Sequence, residues 1–290
     1  MKDYTRDDIV RLAEEEDVEF IRLQFTDMFG HLKNIAITAK QLEKALDNRC
    51  MFDGSAIDGF VGIEESDMYL HPDFSTLEIF PWRPQQGKVA RMICDIYRPD
   101  GTAFEGDPRQ VLKRAISQAW DMGYTFEVGP ECEFFLFDTD ENAMPTTNTH
   151  EQAGYFDIGP LDGGENARRE IVMTLEDMGL IIEASHHEIA PAQHEIDLRY
   201  DEALAVADNI MTFKLAVRTI AKRHGLHATF MPKPKFGVNG SGMHINMSLH
   251  RDGRNLFEDA SDANGLSKEA YYFMGGIMRH VKGMAAVTNP

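Results

Sequence analysis

Two glutamates in the segment GPECEFFLFD have the spacing and the surroundings of an ion-binding pair. Glu131 and Glu133 are two residues apart, so an extended strand would point both carboxylates to one face, roughly 6 to 7 Å apart. Two like charges among apolar neighbours repel each other and lose hydration unless cations or protons compensate. The alternative is an ordinary strand with one wet face. Phe135 and Phe137 would share the face of the glutamates, which disfavours that alternative.

A second group of acidic and imidazole side chains lies in EASHHEIAPAQHEIDLRY. Its members are Glu183, His186, His187, Glu188, His194, Glu195, Asp197 and Arg199. Pro191 excludes one continuous helix, so we expect Glu188 and Glu195 on two extended pieces joined by a loop. Mg²⁺ and Mn²⁺ favour carboxylate oxygen with an occasional imidazole, which matches this inventory. For any one of these histidines alone, a surface or hydrogen-bonded core position is the more common role.

A third segment, KFGVNGSGMHINMSLH, alternates as a strand does. One side would carry Met243, Ile245, Met247 and Leu249, and the other would carry His244, Asn246, Ser248 and His250. The preceding NGSG offers free backbone amides that a carboxylate or a phosphate could approach closely. A glycine-rich loop alone is not specific, and this one is neither a Walker motif nor a GxGxxG.

The three segments are hard to explain together as solvated faces, because all are predicted on extended elements of one domain. Two divalent cations could share such a set of ligands, clamp nucleotide phosphates and stabilise the charge that develops during phosphoryl transfer. The residues therefore predict a carboxylate-rich site for two divalent cations that could bind nucleotide phosphates.

The elements before this site predict a small first domain, residues 1–104. Thr5 is placed to cap a helix, with Asp8 three residues on. The strand pattern of EFIRLQFTD turns near Gly30 into HLKNIAIT, which predicts a hairpin. Thr38 is placed to cap a short helix, AKQLEKAL, and loops are expected from there to the strand KVARMICDIY.

A second domain, residues 105–290, is predicted to begin at Asp107 and Pro108, an N-cap followed by proline at the first helical position. That helix should close at Gly123. Strands are expected at TFEVGP, ECEFFLFD and MHINMSLH, and helices at about 165–178, 202–223 and 267–284. Mixed helices and strands with short connections indicate an α+β fold.

Composition limits the possible partners and compartments. The formal net charge is −19, from 29 Lys plus Arg against 48 Asp plus Glu, which argues against nucleic acid because phosphate binding needs a basic face. Cys50, Cys94 and Cys132 are far apart and show no CxxC spacing, so neither a disulfide framework nor a structural zinc site is indicated. We expect a cytoplasmic protein with no membrane span and no signal peptide.

Several strings in order resemble the type I glutamine synthetases of bacteria and archaea along essentially the whole chain. They are MFDGSAIDGF, EESDMYLHPD, GPECEFFLF, HHEIAPAQHEID and PKFGVNGSGMHINMS. The resemblance implies a β-grasp domain followed by a catalytic domain with a curved antiparallel sheet. It also implies a dodecamer of two six-membered rings with active sites between subunits. ATP would phosphorylate the side-chain carboxylate of L-glutamate, and ammonia would then displace the phosphate to give L-glutamine.

The resemblance also implies roles for particular residues. Glu133, Glu188 and Glu195 would hold one Mg²⁺ or Mn²⁺ near glutamate and ammonia, while Glu131 and His244 would hold the other near the ATP phosphates. Asn239 and Gly240 would bind glutamate. The nucleotide contacts would be Glu183, Tyr200, Asn246 and Ser248. Asp53 would take a proton from ammonium in the neighbouring subunit's site, although its place in a loop with Gly54 and Gly59 by itself suggests only a turn residue.

Two alternatives remain open at this point. Family members continue beyond these residues with a further glutamate ligand, substrate-binding arginines and a mobile loop, so the 290 residues are expected to form an incomplete site. One alternative is a ligase that joins glutamate to a larger amine such as a polyamine, against which the Asp53 loop argues. The other is an inactive, truncated structural or regulatory homologue, against which the intact set of costly acidic ligands argues.

Overall fold

The computed structural model describes residues 2–83 and 86–289. The first part of the chain builds a five-stranded sheet in the order β2-β1-β5-β4-β3. Its strands are β1 (Val18–Thr26), β2 (Leu32–Thr38), β3 (Cys50–Asp53), β4 (Asp67–Ile79) and β5 (Lys88–Tyr97). The helices α1 (Arg6–Glu15) and α2 (Leu42–Leu46) accompany the sheet. A core of apolar side chains, with Ile21, Leu23 and Ile96 almost inaccessible, holds these elements together.

Local signals predicted most of these elements. Thr5 and Asp8 form a reciprocal capping box, in which Asp8 N donates to Thr5 Oγ1 over 3.2 Å and Thr5 N donates to Asp8 Oδ2 over 3.0 Å. The hairpin at Gly30 is confirmed by the antiparallel pairing of β1 with β2. The expected cap at Thr38 is wrong, because its side chain makes no capping hydrogen bond and a short 3₁₀ turn precedes α2.

The expectation of loops between α2 and β5 is also wrong, because β3 and the 13-residue β4 lie there. Pro72 hid β4 from sequence reasoning, since proline cannot donate to a sheet ladder. It is tolerated because β3 pairs only with residues 67–70 of β4, so Pro72 lies beyond the end of that neighbour. An irregularity in the pairing with β5 follows between Asp73 and Glu78.

The rest of the chain builds a seven-stranded antiparallel sheet around β6 (Thr125–Asp138). The other strands are β7 (Ile182–His187), β8 (Gln193–Leu198), β9 (Asp201–Glu202), β10 (Leu226–Thr229), β11 (Met243–Arg251) and β12 (Arg254–Asn255). The helices are α3 (Pro108–Asp121), α4 (Glu165–Asp177), α5 (Ala203–Arg223) and α6 (Lys268–Thr288). The predicted α+β class with an antiparallel second sheet is confirmed. No helix within the described ranges is both long and apolar enough to cross a membrane.

β6 is one strand of 14 residues, not the two strands that TFEVGP and ECEFFLFD predicted. Its pairing with β9 ends at Val128 and its pairing with β8 starts at Glu131. Pro130 therefore lies at a gap between two neighbours, where a missing N–H breaks no ladder bond on that side. Because the strand is continuous, the alternation of its two faces is preserved along its whole length.

The two faces of β6 have different environments. Phe134 and Leu136 point into the main core, where α4 and α5 pack. Phe135 and Phe137 point to the opposite face and are fully buried in a small cluster with Ala190 and Ala192. By alternation, Glu131 and Glu133 belong to this second face, as the sequence predicted.

One buried ion-pair network joins the two sheets. Arg109, at the start of α3, reaches Asp73 on β4 over 2.6 Å, Asp95 on β5 over 2.7 Å and Asp208 on α5 over 2.9 Å. These partners come from both parts of the chain. The network therefore fixes the first sheet against the helices that support the second.

Candidate active site

Strand register brings the acidic segments side by side on the open face of the second sheet. Glu131 on β6 pairs with His244 on β11 and, across its other edge, with Asp197 on β8. Glu133 pairs with Glu195 on β8, which in turn pairs with His186 on β7. Residues directly opposite each other in a sheet project to the same side. The three segments singled out in the sequence therefore meet in one place.

The inner part of the site is built from His186, Glu188 and Glu195, which can each offer a ligand atom within 4.8 Å of the others. His186 Nε2 lies 3.0 Å from Glu188 Oε1 and 3.2 Å from Glu195 Oε2. Both glutamates are only 8% exposed. Glu195 lies on an extended piece, β8, as predicted, but Glu188 lies in the turn that joins β7 to β8 and not on the first extended piece.

Three crowded carboxylates in and beside the inner part, those of Glu133, Glu195 and Asp197, bind protons more tightly than isolated carboxylates do. Burial, with the charges of Asp197 and Glu133, raises the pKa of Glu195 to about 8. Burial and nearby Glu188 raise the pKa of Glu133, and burial also raises the pKa of Asp197. One buried oxygen of Asp197, Oδ1, has no hydrogen-bond partner among the described residues. Like-charged, desolvated carboxylates of this kind are stabilised by a divalent cation, so the donor set fits Mg²⁺ or Mn²⁺.

The outer part of the site contains Glu131, Glu195 and His244, whose potential ligand atoms also lie within 4.8 Å of one another. His244 Nδ1 is 3.3 Å from Glu131 Oε2, and Asn246 Nδ2 donates to Glu131 Oε1 over 2.8 Å. The His244 side chain is 68% exposed, so this part opens to solvent. Glu195 belongs to both groups and would lie between two cations.

The glycine-rich loop closes one side of the inner part. Gln193 Nε2 donates to Glu133 Oε2 and, over 2.9 Å, to the carbonyl of Gly240. A Cβ at Gly240 would lie 2.3 Å from the Pro232 carbonyl oxygen, so the loop excludes any side chain there. Asn239 is exposed beside this contact. The loop thus presents backbone and an amide side chain next to Glu133.

Comparison with known proteins assigns the family. The glutamine synthetase β-grasp domain profile matches residues 17–99, and the glutamine synthetase catalytic domain profile matches residues 105–290. The chain belongs to the glutamine synthetase family. Glutamine synthetase from Clostridium saccharobutylicum is 68% identical over 290 residues, which are 100% of this chain and 66% of that protein. Glutamine synthetase from Staphylococcus aureus (strain MW2) is 59% identical over 288 residues, 99% of this chain and 65% of that protein.

Solved structures agree on the architecture of the family. The cryo-electron microscopy structure of Plasmodium falciparum glutamine synthetase has a TM-score of 0.89 at 28% identity and covers 99% of this chain and 62% of its own. A GmaS complex with ADP also has a TM-score of 0.89, at 32% identity, covering 98% of this chain and 65% of its own. The chain therefore spans about two thirds of the length of the relatives it matches.

Of the four residues that family resemblance assigned to the nucleotide, Asn246, Ser248 and Tyr200 lie around the outer part of the site, whereas Glu183 lies apart from them. Asn246 and Ser248 lie on the same side of β11 as His244. Ser248 pairs with Glu127 on the neighbouring strand β6. Tyr200 is 57% exposed, and its Cβ would lie 3.3 Å from a Cβ added at Gly129. Glu183 is exposed on β7, at the opposite edge of the sheet from β11. Asn246 and Ser248 therefore follow the same face of the sheet as Glu131.

Asp53 is separate from these groups. It ends β3 on the five-stranded sheet, is exposed, and accepts hydrogen bonds from Ser55 N over 2.8 Å and Ser55 Oγ over 2.6 Å. Across residues 2–83 and 86–289, the clusters with cation-ligand geometry do not include it. Within a single chain, Asp53 has the surroundings of a turn residue.

Sequence reasoning missed several side chains that surround the inner part. Gln193 was not proposed, although it contacts Glu133. Tyr155 and Phe156 cover His186, with ring centroids 5.6 Å and 4.9 Å away and planes nearly perpendicular. Gln193 could have been suspected from its place between two acidic positions of the second segment. The two aromatic residues gave no such signal, because they come from the long connection between β6 and α4.

Proposed function

We propose that this chain carries the cation and nucleotide sites of an enzyme that uses ATP to join ammonia to the side-chain carboxylate of L-glutamate. The reaction would pass through γ-glutamyl phosphate and give L-glutamine, ADP and phosphate. Membership of the family makes this reaction the first candidate. The observation that carries the proposal is Glu195, a nearly buried carboxylate common to two adjacent groups of cation ligands.

In this proposal Glu133, Glu188 and Glu195 hold one Mg²⁺ or Mn²⁺, and Glu131 and His244 hold a second. When bound, the two cations would reduce the repulsion between ATP and glutamate and offset the charge that develops in phosphoryl transfer. His186 lies between two of the carboxylates and helps to fix their orientation. The rings of Tyr155 and Phe156 pack edge-on against His186 at this end.

The chemistry explains why phosphate is needed. A carboxylate is a poor electrophile, because hydroxide or oxide is a poor leaving group. An oxygen of the glutamate side chain would attack the γ-phosphorus of ATP and release ADP, and the resulting acyl phosphate would have phosphate as its leaving group. The nitrogen of ammonia would then form the amide bond as phosphate departs. Asn239 and Gly240 would hold the glutamate, and nucleotide contacts would come from Glu183, Tyr200, Asn246 and Ser248.

The remaining parts of the proposal concern assembly. We propose a β-grasp domain at residues 1–104 and a catalytic domain at residues 105–290, in a cytoplasmic homododecamer of two six-membered rings. Asp53 would then reach the site of the neighbouring subunit, where its carboxylate would take a proton from ammonium. The exposure of Asp53 and its distance along the fold from the acidic groups are compatible with action in another subunit.

The direct test uses the 290-residue chain and the complete gene product that contains it. Each is incubated with ATP, Mg²⁺, L-glutamate and ¹⁵N-ammonium, and ¹⁵N-glutamine is measured by mass spectrometry. The proposal expects glutamine from the complete product, with Glu133→Gln reducing the rate by two orders of magnitude or more. A complete product that releases phosphate with a polyamine but not with ammonium would instead identify the amine ligase.

Metal binding distinguishes the proposed enzyme from a structural or regulatory homologue. Ligands that bind only the folded state raise its stability by mass action. Titration with Mn²⁺ should therefore raise the melting temperature of the wild-type chain and leave Glu195→Gln nearly unchanged. The same small response in both proteins would support the structural alternative.

A further inference from the structure

A second buried cluster of acidic and imidazole groups lies behind the candidate active site. Glu151, Asp162, His187 and His194 could each offer a ligand atom within 4.8 Å of the others. However, Arg168 Nη1 donates to Asp162 Oδ2 over 2.7 Å and lies 2.8 Å from His194 Nδ1. The guanidinium already supplies positive charge here. The cluster is therefore an internal ion-pair network, and its role is structural support for the residues that it contacts.

Glu151 connects this network to the turn between β7 and β8, residues 188–192. Its Oε1 accepts from His187 Nε2 over 2.7 Å and also from the backbone N–H of Ala192. Its Oε2 accepts from the backbone N–H of Gly163 over 2.7 Å. The side chain is only 7% exposed. The Glu151 carboxylate thus accepts hydrogen bonds at both ends of the turn, although Glu151 itself lies outside the hairpin, in the connection between β6 and α4.

The turn needs this support because its backbone is strained. Ala192 has φ = 68°, in the left-handed region that residues other than glycine rarely adopt. Its N–H has no ladder partner in the hairpin and would be unsatisfied and buried without Glu151. The acceptor provided by Glu151 therefore stabilises the conformation that needs it most.

His187 and Ala192, which Glu151 contacts at the two ends of the turn, lie next to residues of the candidate active site. His187 Nδ1 lies 2.6 Å from the carbonyl of Glu188, so Glu151 orients the backbone that carries a proposed cation ligand. Ala192 precedes Gln193, whose side chain contacts Glu133 and Gly240. Glu188 N also donates to the Gln193 carbonyl over 2.7 Å, which closes the turn.

We propose that Glu151 is a positioning residue whose carboxylate holds the β7–β8 turn in the conformation that presents Glu188 and Gln193 to the cation site. This inference rests on the proposed function, because that function supplies the cation. Glu151 itself contacts none of the proposed ligands' carboxylates. Its effect passes through His187 and the backbone of Ala192.

The test compares Glu151→Ala with Leu175→Ala by Mn²⁺ binding, followed through the electron paramagnetic resonance signal of free Mn²⁺. Leu175 is a fully buried residue of α4, so its truncation destabilises the fold without touching the turn. We expect Glu151→Ala to weaken the tighter Mn²⁺ site roughly tenfold or more, as loss of a supporting contact to metal ligands does. Leu175→Ala should bind within about twofold of wild type, and Glu151→Gln, which keeps one acceptor oxygen, should be intermediate.

A second measurement needs no metal. In the metal-free proteins, Glu151→Ala should accelerate hydrogen exchange in residues 187–193 more than in residues 131–136. Leu175→Ala should show no such preference for residues 187–193. Wild-type Mn²⁺ affinity in Glu151→Ala, or an equal loss in Leu175→Ala, would overturn the inference while leaving the proposed function intact. A wild-type protein that binds Mn²⁺ but makes no glutamine would overturn the proposed reaction alone. Absence of any Mn²⁺ binding would overturn both.

Discussion

Glu195 concentrates the electrostatics of the site in one side chain. Its pKa is raised to about 8 by burial and then by the neighbouring carboxylates Asp197 and Glu133. A folded-state pKa above the unfolded value means that the folded protein binds a proton more tightly than the unfolded chain. The stability from this proton is fully present below the unfolded pKa, near 4.5, and is lost as pH rises through about 8.

This protonation predicts proton release on metal binding. A cation needs the carboxylate form, so Mn²⁺ binding at pH 7 should displace a proton from Glu195, and affinity should rise between pH 6 and pH 8. Isothermal titration calorimetry in two buffers of different ionisation enthalpy measures the released protons. Glu195→Gln should bind more weakly and release fewer protons. Equal heats in both buffers for the wild type would contradict the prediction.

The sequence predicted the proposed cation ligands but not their immediate neighbours. Glu131, Glu133 and His244 could be found because period-two alternation assigns a face without any knowledge of the partner strand. Gln193, Tyr155 and Phe156 could not, because their contacts depend on how a long connection folds back over the sheet. Asp53 was assigned only by family resemblance, and its role stays a prediction.

At the scale of single elements, the start of α3 carries an unusual cap. Asp107 is 1% exposed and accepts from Arg109 N over 2.9 Å and from Ile96 N over 3.0 Å. It therefore ties the helix to β5 as well as capping it. Burial dominates over these hydrogen bonds and raises the pKa of Asp107 to about 6.

Protonation of Asp107 in mild acid should stabilise the folded protein, whereas protonation of most carboxylates destabilises it. Between the unfolded pKa of 3.8 and the folded value of about 6, its ionisation destabilises the folded state by about 3 kcal/mol. Asp107→Asn keeps an oxygen for the cap and cannot ionise. As pH rises from 4 to 6, the wild type should therefore lose about 2 kcal/mol of unfolding free energy relative to the variant, measured by urea titration. Parallel curves for the two proteins would refute this.

Elements with their own end signals were predicted better than elements defined by partners. Thr5 marks α1 and Asp107 with Pro108 marks α3, because caps act within a few residues. β4 was missed and β6 was predicted as two strands, because the position of Pro72 or Pro130 in a strand depends on where a neighbouring strand ends. That information is not local.

At the scale of the whole molecule, Arg109 holds the two sheets together. Removing one member of a buried ion-pair network leaves uncompensated charge and typically costs about 3–5 kcal/mol. Arg109→Ala leaves Asp73, Asp95 and Asp208 without this partner and should lower the unfolding free energy by that amount, measured by urea or thermal unfolding. Arg98→Ala is the matched control, because Arg98 pairs with Glu65 and Glu105, whose side chains are both 69% exposed. It should cost less than about 1 kcal/mol.

The proposed ring assembly predicts complementation between inactive subunits. Asp53→Asn and Glu188→Gln should each abolish glutamine formation, since the proposed site needs Asp53 from one subunit and Glu188 from its neighbour. Random co-assembly in equal amounts should restore roughly a quarter of the wild-type rate, because about one interface in four joins two intact halves. The two proteins mixed without subunit exchange should remain inactive. Failure of co-assembled rings to recover activity would place both residues in one subunit's site.

The unbroken register of β6 constrains how this chain can change over evolution. Because β8, β9, β10 and β11 all align on this strand, deleting a single residue near Cys132 would turn Glu133 toward α5 and Phe134 toward solvent along half of the sheet. We expect length variation to be accepted more readily at hairpin tips such as Asp252–Gly253, where both residues have positive φ and lie between the paired strands β11 and β12. Insertions and deletions among natural variants should therefore collect at such tips and avoid residues 125–138.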